Sequence, residues 1–346
     1  MLLFWKSNEK YEKRYLRQPT LMNHSILVSV CAITYNHEEY IVQAIESILS
    51  QKTNFTFELV IGEDYSTDNT RKIVLDFKAR YPDKIKLLLQ EKNVGMMQNF
   101  IDTLNTCSGT YIALCEGDDY WSDPYKLQKQ VNFLETNNVY QACYHNTIDR
   151  DENSSKSKVA INAEVNCDVD LVDLISNRCD IKILSLVMRN NFTLPIFFKD
   201  LAFGDWPLCI TLAEKGKIKY IDEIMGTYRY WKGDDFKGVY RQFRKKDNSK
   251  TKRAKYFTRC LIDILKKYDE YYDHKYEALF KKEISNKYLT LLNYSVKSFD
   301  VQLILDSVTE IKKNRKYNKS ISAVDILKVV LNPFIMKIKS FRSNPI

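Results

Sequence analysis

From Ile26 to Ile33 the chain is apolar at every position but Ser29, a run of strand length that suits a strand covered on both faces. At Thr34-Tyr35-Asn36-His37 it turns polar, and the period then becomes helical, with Ile41, Ala44, Ile45, Ile48 and Leu49 sharing one side. Asn36 and Glu39 have the spacing of a capping box that would open this helix. The unit repeats. Phe57 to Gly62 predicts a second strand, ending in the polar stretch from Glu63 to Asp68 before a helix bearing Ile73, Val74 and Phe77. Ile85 to Leu89 predicts a third strand, followed by a helix marked by Met97, Phe100, Ile101 and Leu104, which Gly109 helps to end. Thr110 to Cys115 is the fourth strand, and Pro124 is placed to open the helix after it at its first turn.

Strands alternating with helices imply right-handed crossovers and a mostly parallel sheet, α/β in class, whose ligands bind outside the carboxyl ends of the strands. Three polar turns fall at those ends: Thr34-Tyr35-Asn36, Glu63-Asp64 and Glu116-Gly117-Asp118-Asp119, after the first, second and fourth strands.

The remainder divides the chain further. Residues 1–25 have no clear period and read as an N-terminal extension; residues 26–235 form the α/β domain, split at residue 145; residues 236–346 read as a helical C-terminal extension carrying Leu261, Ile262, Leu265, Leu289, Leu291 and Leu292. Arg150 to Glu164 is polar, with Ser and Lys in succession from Ser154 to Lys158, and is expected as a mobile surface loop or a flap over an acceptor. Near the end Phe334, Ile335, Ile338 and Phe341 interleave with Lys337, Lys339 and Arg342, a basic amphipathic pattern suited to packing on the protein or lying on an anionic bilayer surface.

Charge sharpens that division. The net charge is +9, but residues 236–346 carry 26 Lys and Arg against 11 Asp and Glu, leaving residues 1–235 at −6. Eight scattered cysteines form no CxxC pair and join no histidine cluster, which excludes a zinc motif and a disulfide framework and predicts reduced thiols. A charge as early as Lys6 argues against a signal peptide, and no apolar run reaches membrane-spanning length. The expectation is a cytoplasmic protein, with possible peripheral membrane contact through the basic C-terminal helices. No recognised nucleic-acid motif accompanies the basic tail, so no nucleic-acid partner is expected.

The candidate chemistry lies in the acidic turn. Glu116, Asp118 and Asp119 sit together around Gly117, and close-packed carboxylates are most readily kept together by a cation or a donor-rich ligand. Mg²⁺ and Mn²⁺ take one or two such groups and complete their shell with water and phosphate oxygens. The same turn also suits a solvated helix cap, with Ser122 or Asp123 as N-cap. Neither GxGxxG nor GxxxxGK[ST] is present, against a dinucleotide fold or a P-loop.

Val28-Ser29-Val30 with Thr34-Tyr35-Asn36, then Glu63-Asp64-Tyr65-Ser66-Thr67-Asp68-Asn69-Thr70, Asn93-Val94-Gly95 and Glu116-Gly117-Asp118-Asp119 together resemble the nucleotide half of family 2 glycosyltransferases, which have the GT-A fold. The resemblance covers roughly residues 26–145. It implies a nucleotide-sugar donor, usually UDP-linked, a divalent metal and inversion at the anomeric carbon. Carried over, Thr34, Tyr35, Asn36 and Asn93 would line the donor, with Tyr35 against the base. Glu63 and Asp64 would meet the base or ribose, Glu116 the ribose or donor sugar, and Asp118 and Asp119 the metal and diphosphate. Read without the resemblance, Tyr35 also suits a half-buried turn and Asp64 a helix cap.

Inverting transfer needs one general base beside the acceptor hydroxyl. In the resembling family an acidic residue in a Gly-Asp turn heading a helix has this role, and Asp205 in Phe203-Gly204-Asp205-Trp206-Pro207 matches it, although it also suits an ordinary N-cap; Trp206 could wall the acceptor pocket or sit in the core. Gly226-Thr227-Tyr228-Arg229-Tyr230-Trp231-Lys232-Gly233 resembles the family's Tyr-Arg-x-His-x-Gly segment, with Trp231 where the histidine would stand. Arg229 and Lys232 remain as cations for the leaving group, and none of the four histidines has a clear ligand role. The expectation is a transferase acting on a glycan or lipid-linked acceptor in surface polysaccharide or lipopolysaccharide assembly. The alternative is a non-catalytic sugar-nucleotide-binding or scaffold protein acting through its helical tail.

Overall fold

The computed structural model describes residues 15–17, 26–160, 168–176, 181–231, 249–322, 324 and 326–330. Lys232 and the Phe334–Arg342 segment lie outside them, as does most of the N-terminal extension. The chain divides into two compact units, Met1–Lys237 and Gly238–Ile346.

In chain order the first unit contains β1 (Tyr15–Arg17), β2 (Val28–Thr34), α1 (Ile41–Leu49), β3 (Phe57–Glu63), α2 (Thr70–Arg80), β4 (Ile85–Leu89), α3 (Met96–Thr106), β5 (Tyr111–Leu114), β6 (Tyr120–Trp121), α4 (Lys126–Thr136), β7 (Tyr140–Asp151), β8 (Lys156–Val159), α5 (Leu171–Ile175), β9 (Val187–Arg189), β10 (Leu194–Pro195), α6 (Asp205–Ala213) and β11 (Lys217–Tyr230). The main sheet runs β4-β3-β2-β5-β9-β7-β11-β6, with β8 on the side of β7. The first four strands are parallel, as are β7 and β11; β9 runs antiparallel between β5 and β7, and β6 antiparallel beside β11. β1 pairs separately with β10. The sequence predicted a mostly parallel sheet flanked by helices, and that is what forms.

Both faces of β2 are buried. Val28, Val30 and Ala32 join Ile41, Ala44, Ile45 and Ile48 of α1 and Leu59 and Ile61 of β3 in one core. The other face lies under α3, which packs on β2 and β3. There the approach is so close that a Cβ on Gly62 would come within 1.8 Å of Thr103 Oγ1, and Asn99 Nδ2 donates to the Gly62 carbonyl at 2.9 Å. Inside these strands Ser29 Oγ donates to Glu58 Oε1, which also accepts from Ser108 N at 3.1 Å.

Three local expectations are corrected. Asn36 does not cap α1, whose N-cap position is Tyr40 without a side-chain bond. Instead Asn36 takes a left-handed φ of 55°, a conformation Asn tolerates, and its Oδ1 accepts from Thr67 N at 2.8 Å. The fourth helix begins at Lys126, beyond Ser122, Asp123 and Pro124, because Tyr120 and Trp121 are drawn into β6 against Thr227 and Gly226 of β11. Residues 140–159 form a β-hairpin turning at Ser155 (φ 53°), where a loop was expected from residue 150. β8 is an exposed edge strand, so no apolar alternation marks it.

The second unit is helical, with α7 (Lys250–Tyr271), α8 (Glu277–Lys297) and α9 (Val301–Lys313); α8 packs on both neighbours. Its core contains Leu292, Val296, Ile311 and Ile321. All six cysteines among the described residues are free thiols, and no helix there is long and apolar enough to cross a membrane.

Candidate active site

The predicted polar turns gather at the carboxyl ends of β2, β3 and β5. The Thr34 carbonyl accepts from Asp64 N at 3.1 Å and Asn36 N donates to Ser66 Oγ at 3.0 Å, so the first two turns are fastened together. Within them the acidic pair divides its work. Glu63 is 0 % exposed, accepts from Ser66 N at 2.6 Å and pairs with Arg71. It therefore holds the turn. Asp64 is buried, and its Oδ1 and Oδ2 accept from Val94 N at 2.7 Å and Gly95 N at 3.0 Å. Gly95 (φ 86°) supplies the conformation this loop needs. Burial raises the Asp64 carboxyl above its usual range; the two amides offset part of that, and Glu63 and Asp102 add to it. Asn93 Nδ2 donates to the Asp64 carbonyl at 3.1 Å, and Tyr35 is 41 % exposed on the first turn. Tyr65, not singled out in the sequence, is also exposed, with the Arg71 guanidinium 5.1 Å from its ring.

The acidic turn after β5 is pressed against the end of β2. Gly117 N donates to the Ile33 carbonyl at 2.9 Å, and a Cβ on Gly117 would come within 2.6 Å of Thr34 Oγ1 and 2.9 Å of His37 Nδ1. Glu116, Asp118 and Asp119 each offer a carboxylate oxygen, all within 4.8 Å of one another. Burial first, then the Asp118 charge, pushes Glu116 and Asp119 well above the usual carboxylate range. Asp119 recovers some stabilisation from Arg229 N, which donates to its Oδ1 at 2.8 Å. Hard oxygens converging from one turn, with too little positive charge among them, fit a divalent ion such as Mg²⁺ or Mn²⁺. His37, passed over in the sequence, lies here with Nε2 3.8 Å from Asp118 Oδ2.

Arg229, expected from the sequence to meet the leaving group, is only 6 % exposed, and its guanidinium makes its contacts inside the protein. Its Nη1 donates to the Asp118 carbonyl at 2.6 Å, Nη2 to Gln43 Oε1, and Nε pairs with Glu152 at 3.2 Å, with the ring centres of Tyr40 and Tyr120 5.1 and 4.6 Å from the guanidinium. Its work is to hold the acidic turn. Trp231 is likewise buried, edge-on to Tyr40 at 5.5 Å.

Asp205 opens α6 and is exposed; the N-cap position is Gly204, with no side-chain capping bond. It shares a pocket with Glu116, together with Met97, Ile183, Gly204 and Leu208. The Asp205 charge is one of the causes that raise the Glu116 carboxyl. Trp206 donates from Nε1 to the Leu174 carbonyl at 2.7 Å, which ties the head of α6 to α5. Thus residues about 90 positions apart in sequence meet in one pocket, two carboxylates from different segments.

Residues 29–186 match the family described as Glycosyl transferase family 2. Over 196 residues the chain is 30 % identical to the Escherichia coli UDP-Glc:alpha-D-GlcNAc-diphosphoundecaprenol beta-1,3-glucosyltransferase WfgD, covering 57 % of this chain and 73 % of that one. The chain belongs to glycosyl transferase family 2. An uncharacterised Mycobacterium tuberculosis protein is 36 % identical over 202 residues, 58 % of each chain, so this family 2 protein spans little more than half the length of that relative. Among solved structures, Staphylococcus aureus TarS in complex with UDP-GlcNAc aligns over 85 % of this chain and 93 % of its own at 17 % identity and a TM-score of 0.49. The mixed α/β sheet with its flanking helices is GT-A-like, as the family leads one to expect.

Proposed function

We propose that this family 2 protein is an inverting, metal-dependent glycosyltransferase that moves a sugar from a nucleotide-sugar donor, UDP-linked, to a hydroxyl of a glycan or lipid-linked acceptor. The observation that carries this reading is the meeting of the Glu116, Asp118 and Asp119 cluster with Asp205 at one pocket. When bound, a divalent ion at Asp118 and Asp119 would supply positive charge for the departing diphosphate.

The residues of the chain do the rest. The exposed Tyr35 ring, next to Asn36 on the first strand-end turn, offers a flat surface for the base, with Asn93 bonded to the Asp64 carbonyl on the second. Asp64, already fixed by two backbone amides, keeps the turns around it rigid. Glu116, between the acidic turn and α6, is placed to accept from hydroxyls of the ribose or donor sugar. Asp205, as a carboxylate, takes the proton of the acceptor hydroxyl as that oxygen bonds to the anomeric carbon from the side opposite the leaving group. The bond from that carbon to the diphosphate oxygen breaks with its electron pair, and the configuration inverts. The acidic turn is kept in register by Arg229, which binds the Asp118 carbonyl through its guanidinium and Asp119 through its backbone.

The name of the E. coli relative, a glucosyltransferase acting on a diphosphoundecaprenol-linked sugar, supports a lipid-linked acceptor and a setting in surface-polysaccharide assembly. The basic helical unit supports peripheral contact with an anionic membrane on the cytoplasmic side. Asp205→Asn tests the mechanism. UDP binding in the presence of Mn²⁺ is expected to persist while transfer falls by about 10²- to 10⁴-fold. Transfer at the wild-type rate would assign the base elsewhere, and a product anomer matching the donor, read by NMR, would exclude inversion.

A further inference from the structure

Behind the two carboxylates, the pocket that Glu116 and Asp205 share changes character. Asp205 is exposed and Glu116 half-buried, whereas Ile33, Leu114 and Leu208, which line the same pocket, are buried. Its depth is therefore set into the core, between the ends of β2 and β5 and the first turn of α6. Met97 and Phe100, from the N-terminal part of α3, complete the wall. A Cβ on Gly204 would come within 3.2 Å of Met97 Cε, so the methionine tip reaches the residue next to Asp205. The start of α3 is fixed from the other side, where Asp64 accepts from Val94 N and Gly95 N just before the helix begins at Met96. The turn that carries Asp64 thus also sets where Met97 stands.

The lining is chemically one-sided. Apart from the two carboxylates, every described residue that lines the pocket is apolar, a cysteine or a glycine, and no side chain there carries a hydroxyl, amide or ammonium. A sugar hydroxyl entering the depth gives up water and finds no partner, which is unfavourable. An apolar group leaves water at a gain and makes dispersion contacts with the polarizable methionine. The cavity measures about 30 Å³. A water-sized group needs about 10–15 Å³, so there is room for about two or three non-hydrogen atoms, the end of a short substituent and not a sugar ring. At the mouth the two carboxyl groups offer acceptors for an N–H.

We propose that this pocket selects an N-acetylated donor sugar, with Met97 as the specificity-determining wall: the methyl end of the acetamido group fills the apolar depth and its N–H donates to Glu116 at the mouth. The inference rests on the transferase reading. It gives the pocket to the donor because the ends of β2 and β5 and the loop before α3, which build it, are the segments that carry the donor residues Thr34, Asn93 and Glu116.

The test uses the full chain with Mn²⁺ and two pairs of donors that differ within each pair only at carbon 2: UDP-N-acetylglucosamine against UDP-glucose, and UDP-N-acetylgalactosamine against UDP-galactose. In the pair that binds better, the acetamido member is expected to bind about 10- to 100-fold tighter than its partner, and to release UDP with a kcat/KM higher by a similar factor. Equal binding within both pairs, or a preference for the hydroxyl members, would overturn the inference, while binding of UDP itself keeps the transferase reading. Met97→Gln brings an amide to the wall at similar size. It is expected to cut the preference to below about threefold and leave UDP affinity within about twofold of wild type, whereas Met97→Leu, still apolar, retains the preference. A preference that survives Met97→Gln unchanged would overturn the part given to Met97, and if that variant fails to fold, the wild-type comparison within the pairs decides the question. A wild type that does not bind UDP with Mn²⁺ removes the transferase reading and this inference with it.

Discussion

Asp119 and Glu116 carry the clearest consequence of crowding acids on one turn. Each is easier to protonate in the folded chain than in the unfolded one, so the folded state binds more protons between the ordinary carboxylate value and the raised one. Their contribution to stability therefore worsens as pH rises through that window, from about pH 4 upward. Measured by thermal melting without metal, Asp119→Asn should gain on the wild type as pH increases, and added Mn²⁺ should stabilise the wild type but not the variant. The opposite trend, a variant that loses ground as pH rises, would contradict the raised values. Arg229 offers a second expectation. Replacing it with Ala leaves the Asp118 carbonyl and Gln43 Oε1 without their partner and the Glu152 carboxylate with Arg150 alone, at a cost of about 3 kcal/mol in urea unfolding. Residue type and spacing pointed to the acidic turn because charged groups at a strand end are visible in the sequence, whereas Asp205, at the head of a helix, was singled out by the family resemblance. Whether Arg229 or Glu63 faces a ligand or the interior was not visible, since it depends on Gln43, Glu152 and Arg71, which fold in from elsewhere.

At the scale of elements, the site depends on how closely turns and helices approach. Gly117→Ala drives a methyl into Thr34 Oγ1 and His37, so it should shift the acidic turn and weaken Mn²⁺-dependent UDP binding more than it lowers the melting temperature. Gly62→Ala acts in the reverse sense. It wedges α3 off β3, with an expected loss of about 1–3 kcal/mol in urea unfolding, and leaves the acidic turn in place. Circular dichroism melts and UDP titrations of the two variants check the contrast. The strands β2, β3 and β5 were legible because a strand covered on both faces is largely apolar, and α1 because its apolar stripe is sharp. β6 and β8 were not. One has two residues and exists only because β11 lies beside it; the other is an exposed edge whose Ser and Lys residues carry no pattern of burial.

For the whole molecule, two cores imply two responses. The α/β unit and the helical unit each bury their own apolar residues, so calorimetry should show a van't Hoff enthalpy below the calorimetric one, and UDP with Mn²⁺ should raise only the transition of the first unit. A single two-state transition raised as a whole by the ligand would show the units to be one cooperative body. The chain changes from negative to strongly basic over residues 236–346, and the compact units divide at Lys237, whereas the task of the helical unit leaves no motif in the sequence.

The central claim is that the acidic turn holds a metal-bound nucleotide sugar for transfer, and release of nucleoside diphosphate from a panel of nucleotide sugars tests it most directly. The wild type and Asp118→Asn would be compared with Mn²⁺, Mg²⁺ or EDTA, and UDP binding measured alongside. The account predicts release from one donor, with or without an added acceptor, abolished by EDTA and by the substitution. Release that survives both treatments, or a wild type that turns over no donor and binds no UDP with Mn²⁺, would contradict it.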